Sequence, residues 1–150
     1  MKVLIQIVKQ ASVSINGQKT AAINYGALYF VAFKVGDTVE LVDKMITKLI
    51  KLRIFPDNEG KTNLNISQVQ GQILSVSQFT LYADARGGNR PSFVASMPGG
   101  ESEQLYHYFN EQIRTLGYKV EQGVFGADME VALINEGPFT VLLDSEQLYE

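Results

Sequence analysis

Four consecutive residues, Ser77-Gln78-Phe79-Thr80, place two hydroxyls, a carboxamide and an aromatic ring at the end of an otherwise apolar run. A hydroxyl attacks a carbonyl efficiently only when a neighbouring base takes its proton. The sequence has no cysteine and a single histidine, His107. His107 falls off the apolar face of a helical segment and reads as an exposed helix residue. That leaves no Ser-His or Cys-His pair and no histidine- or cysteine-rich zinc constellation. Neither a P-loop nor a GxGxxG turn is present. Asp84, Asp128, Glu130 and Glu136 are not spaced as a metal or paired-carboxylate site, so neither metal nor cofactor is expected. An enzyme built on this chain has three resources left. It can position its substrate, stabilise an oxyanion with backbone N–H groups, and use groups that the substrate brings.

The elements that must position these residues are legible in outline. Leu74 and Val76 share one face of an extended strand over Ile73–Leu81, and Gln78 and Thr80 continue that face while Ser77 and Phe79 lie opposite. A pocket here would therefore use some side chains of the tetrapeptide and the backbone of the rest. A strand end that caps its own polar groups is the plainer reading. Residues 2–8 and the alternating Val13 and Ile15 read as strand, followed by the tight turn Asn16-Gly17. Residues 27–34 form a buried strand. Asp37 to Arg53 reads as a helix, with Asp37 and Glu40 at capping-box spacing and Val42, Met45, Ile46, Leu49 and Ile50 on one face. Lys44, Lys48 and Lys51 lie away from that face and read first as solvated surface, with contact to RNA phosphate the less favoured alternative.

Asp57-Asn58-Glu59-Gly60 is a turn, and residues 84–100 form a long Gly- and Pro-rich loop carrying Arg86 and Arg90. Glu101 to Leu116 reads as a second helix, with Leu105, Phe109, Ile113 and Leu116 as its apolar face and Gly117 at its end. Two closing strands, roughly 129–134 and 139–143, are joined by Asn135-Glu136-Gly137-Pro138, which reads as a hairpin turn. The expected fold is α+β: a strand-rich, barrel-like mixed or antiparallel sheet with two covering helices.

The chain of 150 residues suits one domain spanning 1–150. Its net charge of −3, without runs of like charge, argues against broad non-specific binding to nucleic acid. A short single-stranded RNA end is a more plausible nucleic-acid ligand for such a surface. No apolar run is long enough to span a membrane, and the start lacks the pattern of a signal peptide. The expectation is a cytoplasmic protein with no membrane partner.

The pairing of Ser-Gln-Phe-Thr with a downstream Asn-X-Gly-Pro-X-Thr is far more specific than either segment alone. Together they resemble the paired signatures of the D-aminoacyl-tRNA deacylase (D-tyrosyl-tRNA deacylase) family. Ile5-Gln6, Arg53-Ile54-Phe55, Asn63-Leu64-Asn65, Arg90-Pro91-Ser92-Phe93 and Phe125-Gly126-Ala127-Asp128-Met129 match further landmarks in the same order. The run Arg86-Gly87-Gly88-Asn89-Arg90-Pro91 carries one extra small residue relative to many members, which leaves the roles of Arg86 and Arg90 open.

The resemblance implies a homodimeric, barrel-like hydrolase that cleaves the ester joining a D-amino acid, or mischarged glycine, to the 3′-terminal adenosine of tRNA. It implies that Ser77, Gln78, Phe79 and Thr80 form the catalytic pocket. Gly137 and Pro138, joined by a cis bond and reaching the partner's pocket, would form the chirality filter. Phe125, Ala127, Met129 and Asn135 would line the substrate pocket, although Phe125 and Met129 equally fit a packed core. Backbone carbonyls that hold the α-amino group would leave a D side chain in open space and drive an L side chain into the chain. Rejection by clash suits such selectivity, since a 10⁴-fold preference needs about 5.5 kcal/mol. Two other readings stay open on the residues alone: a non-enzymatic module that binds a metabolite or RNA end, and a simple esterase using Ser77 or Thr80.

Overall fold

The computed structural model describes residues 1–149. Its organising element is β1 (Lys2–Ile15), which turns at Asn16-Gly17, both with positive φ, into β2 (Gln18–Ile23). This is the tight hairpin that Asn-Gly favours. Beyond Val8 the other edge-on partner of β1 changes: its first half pairs antiparallel with β3 (Gly26–Ala32), its second with β2. Helix α1 (Val39–Lys51) follows, then the small hairpin of β4 (Phe55–Pro56) and β5 (Thr62–Leu64) around the predicted turn at Asp57–Gly60. Strand β6 (Gln72–Ser77) runs parallel to β3, so α1 is a crossover between parallel strands. Helix α2 (Gly99–Thr115) leads in the same way to β7 (Val120–Gln122), parallel to β6. The last strand, β8 (Glu130–Asp144), pairs antiparallel with β1 along its length and ends in the short helix α3 (Ser145–Tyr149).

The sheet order is β2-β1-β3-β6-β7, with β8 on the free side of β1. Strand β2 also lies against β6 and β7, which curls this mixed sheet nearly shut into a barrel. The α+β, barrel-like fold expected from the sequence is what the chain adopts, with α3 added to the two covering helices. Two cores result. Val3, Ile5, Ile7, Tyr29, Ile73, Met45, Leu49, Tyr106, Phe109 and Ile113 fill the layer between sheet and helices. Val8, Ala11, Val13, Ile23, Leu28, Leu74 and Val76 fill the barrel interior. Register irregularities in the β1–β8 ladder between Gln6 and Val8 and between Val8 and Gln10 let one strand serve both cores. Extra residues in a ladder re-aim the side chains beyond them.

Four expectations need correction. Helix α1 starts after Thr38, whose Oγ1 accepts from Leu41 N–H at 3.4 Å, and it ends at Lys51. Asp37 is not the cap because its carboxylate is drawn elsewhere: it meets the Met1 amino group at 2.8 Å and accepts from Lys34 N–H at 2.7 Å. Helix α2 begins at Gly99, and its buried face is Ser102, Tyr106, Phe109, Asn110 and Ile113. Leu116 is 54% exposed because the helix stops at Thr115 and the chain turns away at Gly117.

The strand expected over Ile73–Leu81 ends at Ser77, where Gln78 leaves the extended region and Phe79–Tyr82 wind into a 3-10 turn. The predicted hairpin at Asn135–Pro138 is no hairpin. Both flanking strands pair with β1, so the chain continues in one direction and these residues bulge out of a single strand. Opposite β1, where only Ile7 separates Gln6 from Val8, β8 accommodates residues 136–139 between Asn135 and Thr140. Local residue types signal a departure from regular strand, while the shared partner decides that it is a bulge.

Candidate active site

A cavity of about 520 Å³ opens at the carboxyl ends of the parallel strands β3 and β6. Open sheets with parallel strands bind ligands at this end because loops diverge there and leave a crevice. Val31 and Ala32 of β3 form one side, and Val76 and Ser77 of β6 continue into Gln78 and Phe79. Met97, Gly99 and Ser102 contribute the entry to α2, and the segment from Phe125 to Met129, with Val131, closes the far wall.

The tetrapeptide is positioned by backbone pairing that stops at this spot. Gln78 N–H donates to Val31 O at 2.8 Å, the last rung of the β3–β6 ladder. The chain then tightens: Leu81 N–H reaches Gln78 O at 3.3 Å and Ala83 N–H reaches Thr80 O at 3.0 Å. The first N–H groups of such a turn have no acceptor within it. Among the described residues, neither Phe79 N–H nor Thr80 N–H has a protein acceptor. The Gln78 carboxamide donates to the Thr80 hydroxyl. Phe79 is 55% exposed and stacks edge-on against Phe93, with ring centroids 5.2 Å apart. Its carbonyl accepts from Ser96 Oγ at 3.0 Å, so the long loop braces the turn from outside.

That loop is itself ordered. Asp84 and Ser92 exchange two backbone hydrogen bonds of 2.8 Å, and Arg86 grips the Asp84 carboxylate at 2.9 and 2.7 Å. The Arg86 guanidinium holds the Asp84 carboxyl far below the usual carboxylate range. Arg86 thereby holds the loop, while Arg90 is exposed.

The far wall is held by a single carbonyl. Ser75 O accepts both from Gly123 N–H at 2.9 Å and from the buried Tyr106 hydroxyl at 2.8 Å. This ties the segment leading to Phe125 to β6 and to α2 at once. Phe125 packs on Tyr106 with centroids 5.9 Å apart. A Cβ on Gly123 would stand 2.6 Å from Met129 Sδ, so Met129 reaches back over this glycine while also packing on the barrel core. Phe125 and Met129 thus both line the cavity and pack on the cores. Asp128 is the one ionisable side chain on the wall among the described residues.

Of the residues named from sequence, the cavity brings together Ser77, Gln78, Phe79, Phe125, Ala127 and Met129. Thr80 stands beside it, its hydroxyl turned to Gln78. Asn135, Gly137 and Pro138 do not line the cavity of their own chain. They are exposed on the β8 bulge, where Asn135 Nδ2 donates to Ile7 O at 3.5 Å. The Gly137–Pro138 bond is cis, and Gly137 has φ 121° with Phe139 N only 2.9 Å from where a Cβ would sit. Glycine is therefore the residue this position accommodates. His107 is exposed, 3.6 Å from Glu103 on the same helix. Among the described residues no group of three or more His, Cys, Asp or Glu is placed to hold a metal.

Val31, Ala32, Met97, Gly99 and Ser102 were not foreseen as wall residues. Val31 and Ala32 read as part of a buried strand, Met97 and Gly99 as part of the long loop and Ser102 as part of a helix start, and none of these says what lies next to Ser77.

The chain matches the family model for D-Tyr-tRNA(Tyr) deacylase over residues 4–144. It is 49% identical over 144 residues to a D-aminoacyl-tRNA deacylase of Lactobacillus helveticus (strain DPC 4571), covering 96% of this chain and 99% of that one. Against the D-aminoacyl-tRNA deacylase of Macrococcus caseolyticus (strain JCSC5402) the identity is 47% over 146 residues, 97% of each chain. Among solved structures, a c-Myc DNA unwinding element binding protein superposes with a TM-score of 0.90 at 36% identity, covering 96% of this chain and 98% of the other. A probable eukaryotic D-amino acid tRNA deacylase shares the fold at a TM-score of 0.83 and 20% identity, covering 95% and 97%. With its paired Ser-Gln-Phe-Thr and Gly-Pro segments and a match along nearly its whole length, the chain belongs to the D-Tyr-tRNA(Tyr) deacylase family.

Proposed function

We propose that this chain, acting as one domain, hydrolyses the ester of D-aminoacyl-tRNA, and of glycine mischarged on tRNA, releasing the free amino acid and tRNA. The observation that carries the reading is the cavity at the ends of β3 and β6. It gathers Ser77, Gln78 and Phe79 with Phe125, Ala127 and Met129, and two backbone N–H groups beside it lack acceptors among the described residues. Water attacks the ester carbonyl, and the oxygen that becomes negative is held by Phe79 N–H and Thr80 N–H. The C–O bond to the ribose 3′ position then breaks, and O3′ takes a proton, with the neighbouring 2′-hydroxyl assisting the transfer. Ser77 and Gln78 hold the aminoacyl end and the terminal adenosine, and Phe79 offers a ring face for stacking. Thr80 positions Gln78 through their hydrogen bond. Ala127 keeps the wall open, and Asn135 steadies the β8 bulge on β1. No cofactor enters this scheme.

The chirality filter belongs to a homodimer in this reading. Gly137 and Pro138 are exposed on β8 and do not line their own cavity, and Ile134 and Leu142 on the same strand are 50% and 49% exposed. A two-fold partner covering this face would receive the Gly-Pro bulge in its own pocket. Backbone carbonyls there would read the α-amino group and reject L side chains by collision. The enzyme works beside translation in the cytoplasm; no described helix is long and apolar enough to cross a membrane.

Incubation with D-Tyr-tRNA and L-Tyr-tRNA tests the activity. Release of D-tyrosine alone supports the reading. Binding without release would make the chain a non-catalytic module, and hydrolysis of both enantiomers would make it a simple esterase. Subunit mixing tests the shared site. A pocket-filling Ala127→Phe chain and a Gly137→Val chain, each inactive alone, should regain about a quarter of wild-type activity when mixed, because each heterodimer keeps one intact pocket facing one intact filter. No recovery despite confirmed heterodimers would remove the filter from the partner's site.

A further inference from the structure

The lysines of α1 line a cleft, which a plain solvated face would not do. Lys44, Lys48 and Lys51 border an open cavity of about 590 Å³ together with Arg53, Leu52, Thr47, Asp43 and Tyr149. Among the described residues none of these four cations has a carboxylate partner within salt-bridge distance, unlike Lys2, Lys34, Lys61, Arg86 and Arg114; Lys9, Lys19, Arg90 and Lys119 also lack one, but they do not border this cleft. The one acid among the described residues of the cleft, Asp43, already accepts from the Tyr108 hydroxyl at 2.8 Å. Arg53 is held in place by Asn63, its Nε donating to Asn63 O at 2.7 Å. Tyr149 closes the other side, its hydroxyl donating to Lys44 O at 3.1 Å. Lys44 also lies over the Tyr149 ring, 5.9 Å from its centroid. In a chain of net charge −3, four cations with no carboxylate partner among the described residues, around one concavity, make a local positive field.

The position of this cleft also matters. Helix α1 links β3 to the parallel strand β6, so it must run back from the pocket end of the sheet to the opposite end. Lys44, Lys48 and Lys51 follow one another at intervals of four and three residues, a stripe about 10 Å long on one side of the helix. The stripe leads away from the end of the sheet where the ester is held.

We infer that this cleft binds backbone phosphates of the substrate tRNA beyond its 3′ end, through Lys44, Lys48, Lys51 and Arg53. The inference rests on the deacylase reading for the identity of the RNA. Phosphate contacts of this kind position a nucleic acid without reading its sequence. They supply affinity that a pocket sized for one aminoacyl-adenosine lacks.

The test compares wild type with the Lys44→Ala/Lys48→Ala/Lys51→Ala variant. Two measurements are made: affinity for uncharged tRNA across a salt series, and kcat/KM for D-Tyr-tRNA and for D-tyrosyl-adenosine, which has no stem. The variant should bind tRNA about tenfold more weakly at moderate salt, with a slope of log affinity against log salt smaller by about 2 to 3. Its ratio of kcat/KM for tRNA over that for D-tyrosyl-adenosine should fall by a similar factor. A Lys9→Ala/Lys19→Ala/Lys119→Ala control removes the same charge from other exposed sites. Unchanged tRNA affinity and slope in the α1 variant, or an equal loss in the control, overturns the inference. Because uncharged tRNA binding needs no turnover, a wild-type protein inactive on both esters would sink the deacylase reading and still leave the cleft decided by its own binding result.

Discussion

Thr80 carries the residue-scale question of whether a side chain attacks the ester. Its hydroxyl is occupied by the Gln78 carboxamide, and among the described residues no hydrogen bond joins it to a histidine or carboxylate. A hydroxyl without a base is a poor nucleophile at neutral pH. Thr80→Ala should therefore keep at least about a tenth of wild-type kcat, since what it loses is one positioning hydrogen bond of about 1 kcal/mol. Mass spectrometry of the stalled wild-type reaction should show no acyl group on Thr80; an adduct there together with a dead alanine variant would reverse the proposed mechanism. Tyr106 offers a second test. Its buried hydroxyl shares Ser75 O with Gly123 N–H, and Tyr106→Phe removes the hydroxyl's share of that carbonyl. The variant should lose about 1 kcal/mol in urea unfolding. Its KM for D-Tyr-tRNA should rise, as the segment carrying Phe125 and Met129 loosens. Unaltered stability would mean that the Gly123 bond suffices to hold the wall.

At the scale of elements, the site depends on β3 and β6 lying side by side in parallel. Their approach begins at Gly26, where a Cβ would stand 1.9 Å from the Gln72 carbonyl oxygen. The obstacle is backbone of the neighbouring strand, which cannot swing aside. Gly26→Ala should thus cost more than about 3 kcal/mol, the range of severe overpacking, and yield little folded protein. Circular dichroism and urea denaturation would show it, and a near-wild-type midpoint would mean the two strands can separate there without loss. The same scale explains why Gly-Pro reads as a turn in the sequence yet forms a bulge in the fold. Glycine and proline mark an interruption of regular strand wherever they stand. Whether the chain reverses or bulges was settled by β1, whose Gln6 pairs with Thr140 and whose Val8 pairs with Asn135.

At the scale of the whole molecule, the layer between sheet and helices holds Tyr29, 2% exposed, with its hydroxyl pushed well above the ordinary tyrosine range first by burial and then by Tyr118. The neutral phenol is the form the fold accepts, and the unfolded chain releases its proton near the ordinary tyrosine value of about 10. Stability from this group is accordingly complete below that pH and declines as pH rises above it. Urea midpoints should hold steady up to about pH 9 and fall beyond about pH 10, and Tyr29→Phe should flatten that alkaline limb. An identical decline in both proteins would assign it to other groups. The two cores also explain why one pocket can be rigid. Its wall residues Val31, Met97 and Phe125 pack on the helical layer, while Val76, Met129 and Val131 pack on the barrel core.

The residues alone determined the local periods and the chemistry that was missing. Alternation in β1, the α1 stripe, the Asn16-Gly17 turn and the lack of a nucleophile–base pair all follow from side-chain type and spacing. So did the paired Ser-Gln-Phe-Thr and Gly-Pro segments that marked the family. Neighbourhood was beyond reach, because strand order depends on contacts between residues far apart in the chain. Only the folded molecule put Val31 opposite Ser77, ended β6 where Gln78 leaves the ladder, and gave Asp37 to the Met1 amino group in place of a cap. It also joined Lys44, Lys48 and Lys51 to Arg53 and Tyr149 around one cleft. Helix spacing alone had offered that stripe as ordinary solvated surface.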